Sequence, residues 1–230
     1  MDYNSLHSGA FRSGILDYFY LINRNYPERG SLKLVGDRYR LNRDQRTILY
    51  RGVTSEEKAD QRRKRLSTDI AGKHLIIDGY NVLFTLLNYR LGRIIFISND
   101  HIVRDAGSLH GRLKEDIMFR ESVDLLFVYF KHNRPGSVHF YIDSPVSQSV
   151  YHKQIIDEQI LLAGLTGTCE IVKSPDQHIK KETEGIIITS DSVIIDKTDN
   201  QIVDLSHLIL KSRFKIALFD LNEILNDLQQ

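Results

Sequence analysis

The chain has a single cysteine, Cys169, among 230 residues. No internal disulfide can form, so the sequence predicts a protein of a reducing compartment, the cytoplasm. A zinc site would have to rest on His, Asp and Glu. Long hydrophobic runs are also missing. The longest candidate, 123–130, falls well short of the ~20 apolar residues that span a bilayer, and no membrane contact is expected. The opening MDYNSLHSGAFRSG carries Asp2 and lacks the apolar core of a signal peptide. Neither GxxxxGK[ST] nor GxGxxG occurs, which argues against a Walker-type NTPase or a dinucleotide-binding enzyme. There is no internal repeat and no low-complexity tract.

The sequence has enough apolar residues, 41%, to build a buried core. Its net charge of +1 hides an asymmetry. Residues 1–66 hold 14 Lys and Arg against 8 Asp and Glu, or +6, and the remainder 17 against 22, or −5. An excess of cations on a small domain is the footprint of phosphate-backbone binding and equally of an ordinary solvated surface.

Residues 1–66 read as a small, basic helical domain. Phe11, Ile15, Tyr18, Phe19 and Ile22 recur at helical spacing before Pro27 and Gly30 interrupt the pattern. A second helix is expected over 43–50, and a third opens at Thr54 or Ser55 with Glu56 and Glu57 in its first turn. From residue 67 to 230, β-branched runs alternate with helical segments, as in a mostly parallel α/β sheet. Strands are expected at 74–77, 93–97, 138–142, 169–172, 185–189, 201–203 and 214–218. Helices are expected at 80–89, 108–130, 147–163, 175–183 and 221–228.

Four of these strands end in aspartate: HLIID at Asp78, IIFISND at Asp100, VHFYID at Asp143 and GIIITSD at Asp191. If parallel, their carboxyl ends share the edge where open α/β sheets bind ligands. Carboxylates brought together repel unless a hard cation such as Mg²⁺ or Mn²⁺ neutralises them. Aspartate after a strand is also a preferred helix cap, and for each of the four that explanation competes with ligation. Asp220, followed by Glu223 in a capping-box pattern, reads as structural. Asp196 and Asp204 read as turn residues around KTDN.

The string LIIDGYNVLF with the later TSDS resembles the PIN-like (PilT N-terminal) nuclease superfamily. NRNYP, LVGDRYRL, QRTILYRGV, RDAGSLHG and IDSPVSQS resemble the uncharacterised prokaryotic family called domain of unknown function 434, with a PIN-like carboxyl-terminal half. The resemblance implies a helical domain followed by a PIN-like α/β/α sandwich. It also implies one or two Mg²⁺ or Mn²⁺ ions that activate water for phosphodiester hydrolysis, with Asp78 and Asp191 at the matching metal positions.

Around these positions, Asn81 suits a metal-bound water or phosphate oxygen, or a helix-end hydrogen bond. Ser144, Ser147 and Ser149 after Asp143, and Ser190 and Ser192 around Asp191, suit either a phosphate or a helix start. In RDAGSLHG, Asp105 is a further candidate ligand, His110 a general acid and Arg104 a phosphate contact. Glu115 and Asp116 are available on a middle helix. The expected catalytic set is Asp78, Asp143, Asp191 and His110, with Asp100 or Asp105 completing the metal site.

The function expected is a metal-dependent nuclease with RNA as the preferred substrate. The alternative is a non-catalytic RNA- or nucleotide-binding regulatory protein with a degenerate site. An aspartyl-phosphate phosphotransferase is less attractive, because Tyr80 stands where a second aspartate would be needed. Arg38, Arg40, Arg43, Arg46, Arg62, Arg63, Lys64 and Arg65 are expected to capture nucleic acid. A homodimer is compatible with the sequence.

Overall fold

The computed structural model describes residues 3–107, 116–214 and 216–226. In chain order, a 3-10 turn (Tyr3–His7) leads to α1 (Gly9–Asn23), α2 (Glu28–Arg38), α3 (Arg43–Gly52) and α4 (Glu56–Arg63). Then come β1 (His74–Asp78), α5 (Gly79–Arg90), β2 (Ile95–Ile97), β3 (Val103–Asp105), α6 (Asp116–Asn133), β4 (Ser137–Asp143) and α7 (Ser149–Leu162). The remaining elements are β5 (Thr166–Val172), α8 (Pro175–Ile179), β6 (Ile186–Ile188), α9 (Ser192–Ile195), β7 (Ile202–Val203), α10 (Leu205–Arg213), β8 (Phe219–Asp220) and α11 (Leu221–Leu225).

The chain divides into two compact units, and the first is discontinuous: 1–64 with 88–108 and 217–230. Local signals explain its helices. Ser8 Oγ caps α1 by accepting from Phe11 N, and a reciprocal Asn42–Gln45 capping box opens α3. α2 is not among the helices expected from the sequence, where Pro27 looks like an interruption. Proline is suited to the start of a helix, where its missing N–H costs nothing, and here it sits at the N-cap. The apolar faces of α1 and α3 meet Ile94, Phe96, Ala106, Phe219, Leu221, Ile224 and Leu225 in one core. The helical segment therefore completes its core with residues taken from the middle and end of the chain.

A buried ion triad reinforces this unit. Arg62 Nη1 lies 2.7 Å from Asp100 Oδ2, while Arg104 reaches both Asp100 oxygens at 2.7 and 2.8 Å. Burial alone would raise the Asp100 pKa, but the guanidiniums of Arg104 and Arg62 and the Ser98 hydroxyl outweigh it and hold the carboxyl below the usual range.

The second unit, 65–87 with 109–216, holds a five-stranded parallel sheet in the order β5-β4-β1-β6-β7. Successive side chains point to opposite faces, and the continuous burial of 75–78 in β1 and of β6 shows that both faces are covered. Phe140 on β4 stacks with Phe127 of α6, and α7 packs on β4 and β5. On the opposite face Ile76, Tyr141, Val172 and Ile187 meet Ile179 of α8 and Ile194 of α9. This unit is an α/β/α sandwich, and a helical region precedes it in the sequence. β2 does not join this sheet. It pairs antiparallel with β3 and parallel with β8 in a three-stranded sheet within the first unit. No helix among the described residues is long and apolar enough to cross a membrane.

Two outcomes follow from the first unit. Asp100→Asn removes the charge that two buried guanidiniums share and should lower unfolding stability by about 3–5 kcal/mol in urea titration; a change under about 0.5 kcal/mol, typical of a surface substitution, would contradict the triad's role. A 67–230 fragment leaves the apolar side chains of β2, β8 and α11 without their core. It should bind hydrophobic dye and aggregate rather than unfold cooperatively.

Candidate functional site

The chain runs outward from β1 through β4 to β5, then returns to the other side of β1 for β6 and β7. The strand order reverses beside β1, and in open α/β sheets the carboxyl ends of strands at such a reversal form a ligand crevice. Asp78 is the last residue of β1, Asp143 the last of β4, and Asp191 follows β6.

Gly79 permits the turn out of β1. A Cβ there would lie 2.6 Å from Ile142 Cγ2 and 3.2 Å from the Tyr141 carbonyl oxygen. The D-G-Y-N string thus needs its glycine for close approach to β4. Tyr80 turns inward, 3% exposed, with its hydroxyl 3.0 Å from His152 Nδ1.

Asp78 is 7% exposed and its carboxylate is held from several sides. Thr189 Oγ1 donates to Asp78 Oδ2 at 3.0 Å, and the Asn81 backbone N–H also donates to this carboxylate. Thr189 Oγ1 in turn accepts from Asp191 N at 3.1 Å. The Asn81 side-chain oxygen accepts from Ser190 N and Ser190 Oγ at 2.8 and 3.0 Å, stitching the start of α5 to the end of β6. Burial pushes the Asp78 carboxyl up to about 7, with Asp191 and Asp143 adding repulsion and the Thr189 and Asn81 hydrogen bonds opposing the rise. Burial also raises Asp143, with a contribution from Asp176. Asp176 itself is held low by Ser174 and Lys180, whose Nζ stands 2.9 Å from Asp176 Oδ2.

Three of the four strand-end aspartates therefore belong to one electrostatic cluster, joined through Asp143 by Asp176. Thr189 and Asp176 were absent from the residues singled out in the sequence. Thr189 lies one step past the Ile77–Ile188 pairing, opposite Asp78, and becomes visible once that register is known. Asp176 follows a short loop after β5 rather than ending the strand, which hid it. Asp191 is exposed and its Oδ1 accepts from Val193 N at 2.7 Å, so it also caps α9. Among the described residues, no group of three or more His, Cys, Asp or Glu is arranged to hold a metal ion.

Asp100 lies in the turn between β2 and β3 of the three-stranded sheet, and both of its oxygens are engaged by the triad. Expecting it to share the parallel sheet's edge assumed one continuous sheet. Arg104 is buried in the same triad. Asp105 Oδ1 faces Arg51 Nη1 at 3.2 Å. Burial raises the Asp105 pKa, and Arg51 opposes the rise. His110, Glu115 and the Asp116 side chain lie outside the described residues. Ser144 and Ser147 are exposed in the loop after Asp143, Ser149 is buried at the start of α7, and Ser192 begins α9. Asp204 and Asp220 cap α10 and α11, and Asp196 closes α9.

The eight cations expected to meet nucleic acid separate in the structure. Arg62 is 5% exposed. Arg63 donates to the Asn99 carbonyl at 2.7 Å and pairs with Glu56 and Asp60. Arg65 donates to the carbonyls of Ile195 and Thr198. Arg46 donates to the Leu41 carbonyl and to Asp37. Arg38, Arg40, Arg43 and Lys64 are exposed.

Residues 67–208 match the family described as "Domain of unknown function (DUF5616)", and residues 10–65 match "Protein of unknown function (DUF434)". The DUF434 likeness thus holds for the helical segment, while the DUF5616 match takes in most of the parallel-sheet unit. The chain is 33% identical over 193 residues to "Uncharacterized protein MJ0935" of Methanocaldococcus jannaschii, covering 82% of this chain and 91% of that protein. No solved structure matches. The chain belongs to the DUF5616 family, with a DUF434 segment ahead of it.

Proposed function

We propose that the protein is a divalent-metal-dependent nuclease of the PIN-like kind, hydrolysing phosphodiester bonds with RNA as the preferred substrate. The observation that carries this reading is the buried Asp78 at the end of β1, with Asp143 at the end of β4 and Asp191 after β6, the two strands that flank β1. Buried, mutually repelling carboxylates have the all-oxygen chemistry that suits Mg²⁺ or Mn²⁺. Asp78, Asp143 and Asp191 would hold the ion, with Asp176 beside them. When bound, it would supply an acidified water and neutralise charge developing at the scissile phosphate. The chain's own part is orientation. Thr189 and the Asn81 amide fix Asp78, and the Asn81–Ser190 pair keeps β6 beside β1.

A second reading, a non-catalytic RNA- or nucleotide-binding regulator, is favoured by one fact: the described carboxylates do not form a ready-made metal cage. Isothermal titration with Mn²⁺ separates the two, since heat of binding that disappears in Asp78→Asn supports the nuclease and no heat at millimolar metal supports the regulator.

Incubated with single-stranded and hairpin RNA in Mn²⁺, wild type should cleave. Asp78→Asn and Asp191→Asn should each lose on the order of 100-fold or more, at or beyond the ~10–100-fold typical of groups that merely orient ligands. Equal rates in all three proteins, or cleavage of nothing by wild type, would reject the assignment.

The raised Asp78 pKa also sets a pH dependence. The folded state binds this proton more tightly than the unfolded chain, so the group's contribution is fully present below about pH 4 and is lost as pH rises through about 7. Asp78→Asn should therefore melt like wild type near pH 4 and be more stable by about 4 kcal/mol at pH 8. Thermal melts across that range check the sign; a variant less stable than wild type at pH 8 would contradict it.

A further inference from the structure

Arg38, Arg40 and Arg43 stand within six residues of one another, at the last position of α2, in the turn, and at the first position of α3. All three are exposed, and the Arg38 side chain is 69% exposed. Its guanidinium lies 5.5 Å from the Tyr39 ring centroid and 3.9 Å from Asp17 Oδ2, while Tyr39 Oη donates to Asp17 at 2.7 Å. The turn is thus braced against α1.

Arg40 has φ 51, in the left-handed region where glycine or asparagine is the easier choice. An arginine there brings a long cation outward at some backbone cost. The nearest acid on α2 is already neutralised. Asp37 pairs with Lys33 at 2.7 Å and with Arg46 at 3.0 Å, and these partners hold its carboxyl below the usual range. Gly36 makes this possible, since a Cβ there would strike the Arg46 guanidinium at 2.1 Å. The turn consequently presents Arg38, Arg40 and Arg43 as a local positive excess, with Asp17 and Asp44 the remaining acids beside them.

Helices joined by a short turn often read bases by laying the second helix in the major groove. α3 is not available for that. It packs on β2 and β3, Ile48 and Leu49 are fully buried, and a Cβ at Gly52 would meet Phe96 and Leu221. The exposed arginines lie in the turn and at the start of α3, a placement that suits phosphates and not base edges.

We infer that the α2–α3 turn binds the phosphodiester backbone of nucleic acid, without sequence preference, through Arg38, Arg40 and Arg43. These arginines belong to the first unit and the acidic residues to the second, and the inference does not depend on the latter being a nuclease site. RNA and DNA share the chemistry recognised, so both serve as probes.

The test uses the full chain in EDTA with fluorescein-labelled probes of about 20 nucleotides: an RNA hairpin, a single-stranded RNA and a DNA duplex, at about 50 mM KCl and upward. Arg38→Gln/Arg40→Asn/Arg43→Gln should weaken binding about 10-fold or more at low salt and flatten the slope of log affinity against log salt by about 2–3. Scrambling the probe sequence should change nothing. Far-UV circular dichroism and melting temperature check the fold, and Arg43→Glu alone serves as a second variant, expected to weaken binding in the same direction. Wild-type affinity and slope in both variants would overturn the inference, as would absence of wild-type binding to all three probes. A chain that binds through this turn yet cleaves no RNA keeps the inference and loses the nuclease reading. Cleavage with binding indifferent to these arginines does the reverse.

Discussion

The acidic crevice depends on β1 lying between β4 and β6. A strand flanked on both sides and covered on both faces ends in a place with little water, and the side chain of its last residue is desolvated by the sheet that positions it. In β1 that residue is Asp78. Its neighbours end in Asp143 and lead into Asp191, so the same geometry that removes water adds negative charge. Hydrogen bonds from Thr189 and the Asn81 amide offset part of the cost without cancelling it. Folding here accepts an unfavourable carboxylate, which is the pattern of sites whose local chemistry opposes stability.

Capping and clustering turn out to be compatible in one side chain. Asp191 offers Oδ1 to Val193 N at the start of α9 and still acts electrostatically on Asp78. Asp204 and Asp220 make the same kind of cap on α10 and α11, and neither follows β1 or a strand paired with it. The capping hydrogen bond therefore says nothing about membership of the site. A place at the end of β1 or of a strand next to it does. Asp100 ends an apolar run much as Asp78 does, but its strand pairs with β3 and β8, and arginines take up its charge.

These distinctions explain what could be read from the chain. Isoleucine-rich runs at 75–77 and 186–188 and the β-branched and aromatic run VHFYI at 138–142 are local signals, and they mark strands of the parallel sheet close to their observed bounds. Asp78, Asp143 and Asp191 were legible because each is adjacent to such a run. The sheet to which 95–97 belongs was not legible, since IFI is equally suited to either sheet and only long-range packing with Phe11, Leu221 and their neighbours decides. The same ambiguity concealed the discontinuity of the first unit. A boundary near residue 66 follows the change in texture, whereas the helical segment finishes its core with residues drawn from 94–106 and 219–225.

Charge was the least transferable signal. Counting gives residues 1–66 an excess of cations, but a guanidinium has five donors and can be consumed by carbonyls as readily as by anions. In QRRKR, Arg62 enters the Asp100 triad, Arg63 is caught by Glu56, Asp60 and the Asn99 carbonyl, and Arg65 cross-links two carbonyls beside α9. The densest basic run in the sequence is therefore mostly structural. The sparser LVGDRYRLNR differs because Arg46, lying over Gly36, neutralises Asp37 from within and leaves the cations of the turn facing outward. Whether a basic stretch is an adhesive surface or internal scaffolding depends on where its acids are satisfied, and that is fixed by packing rather than by composition.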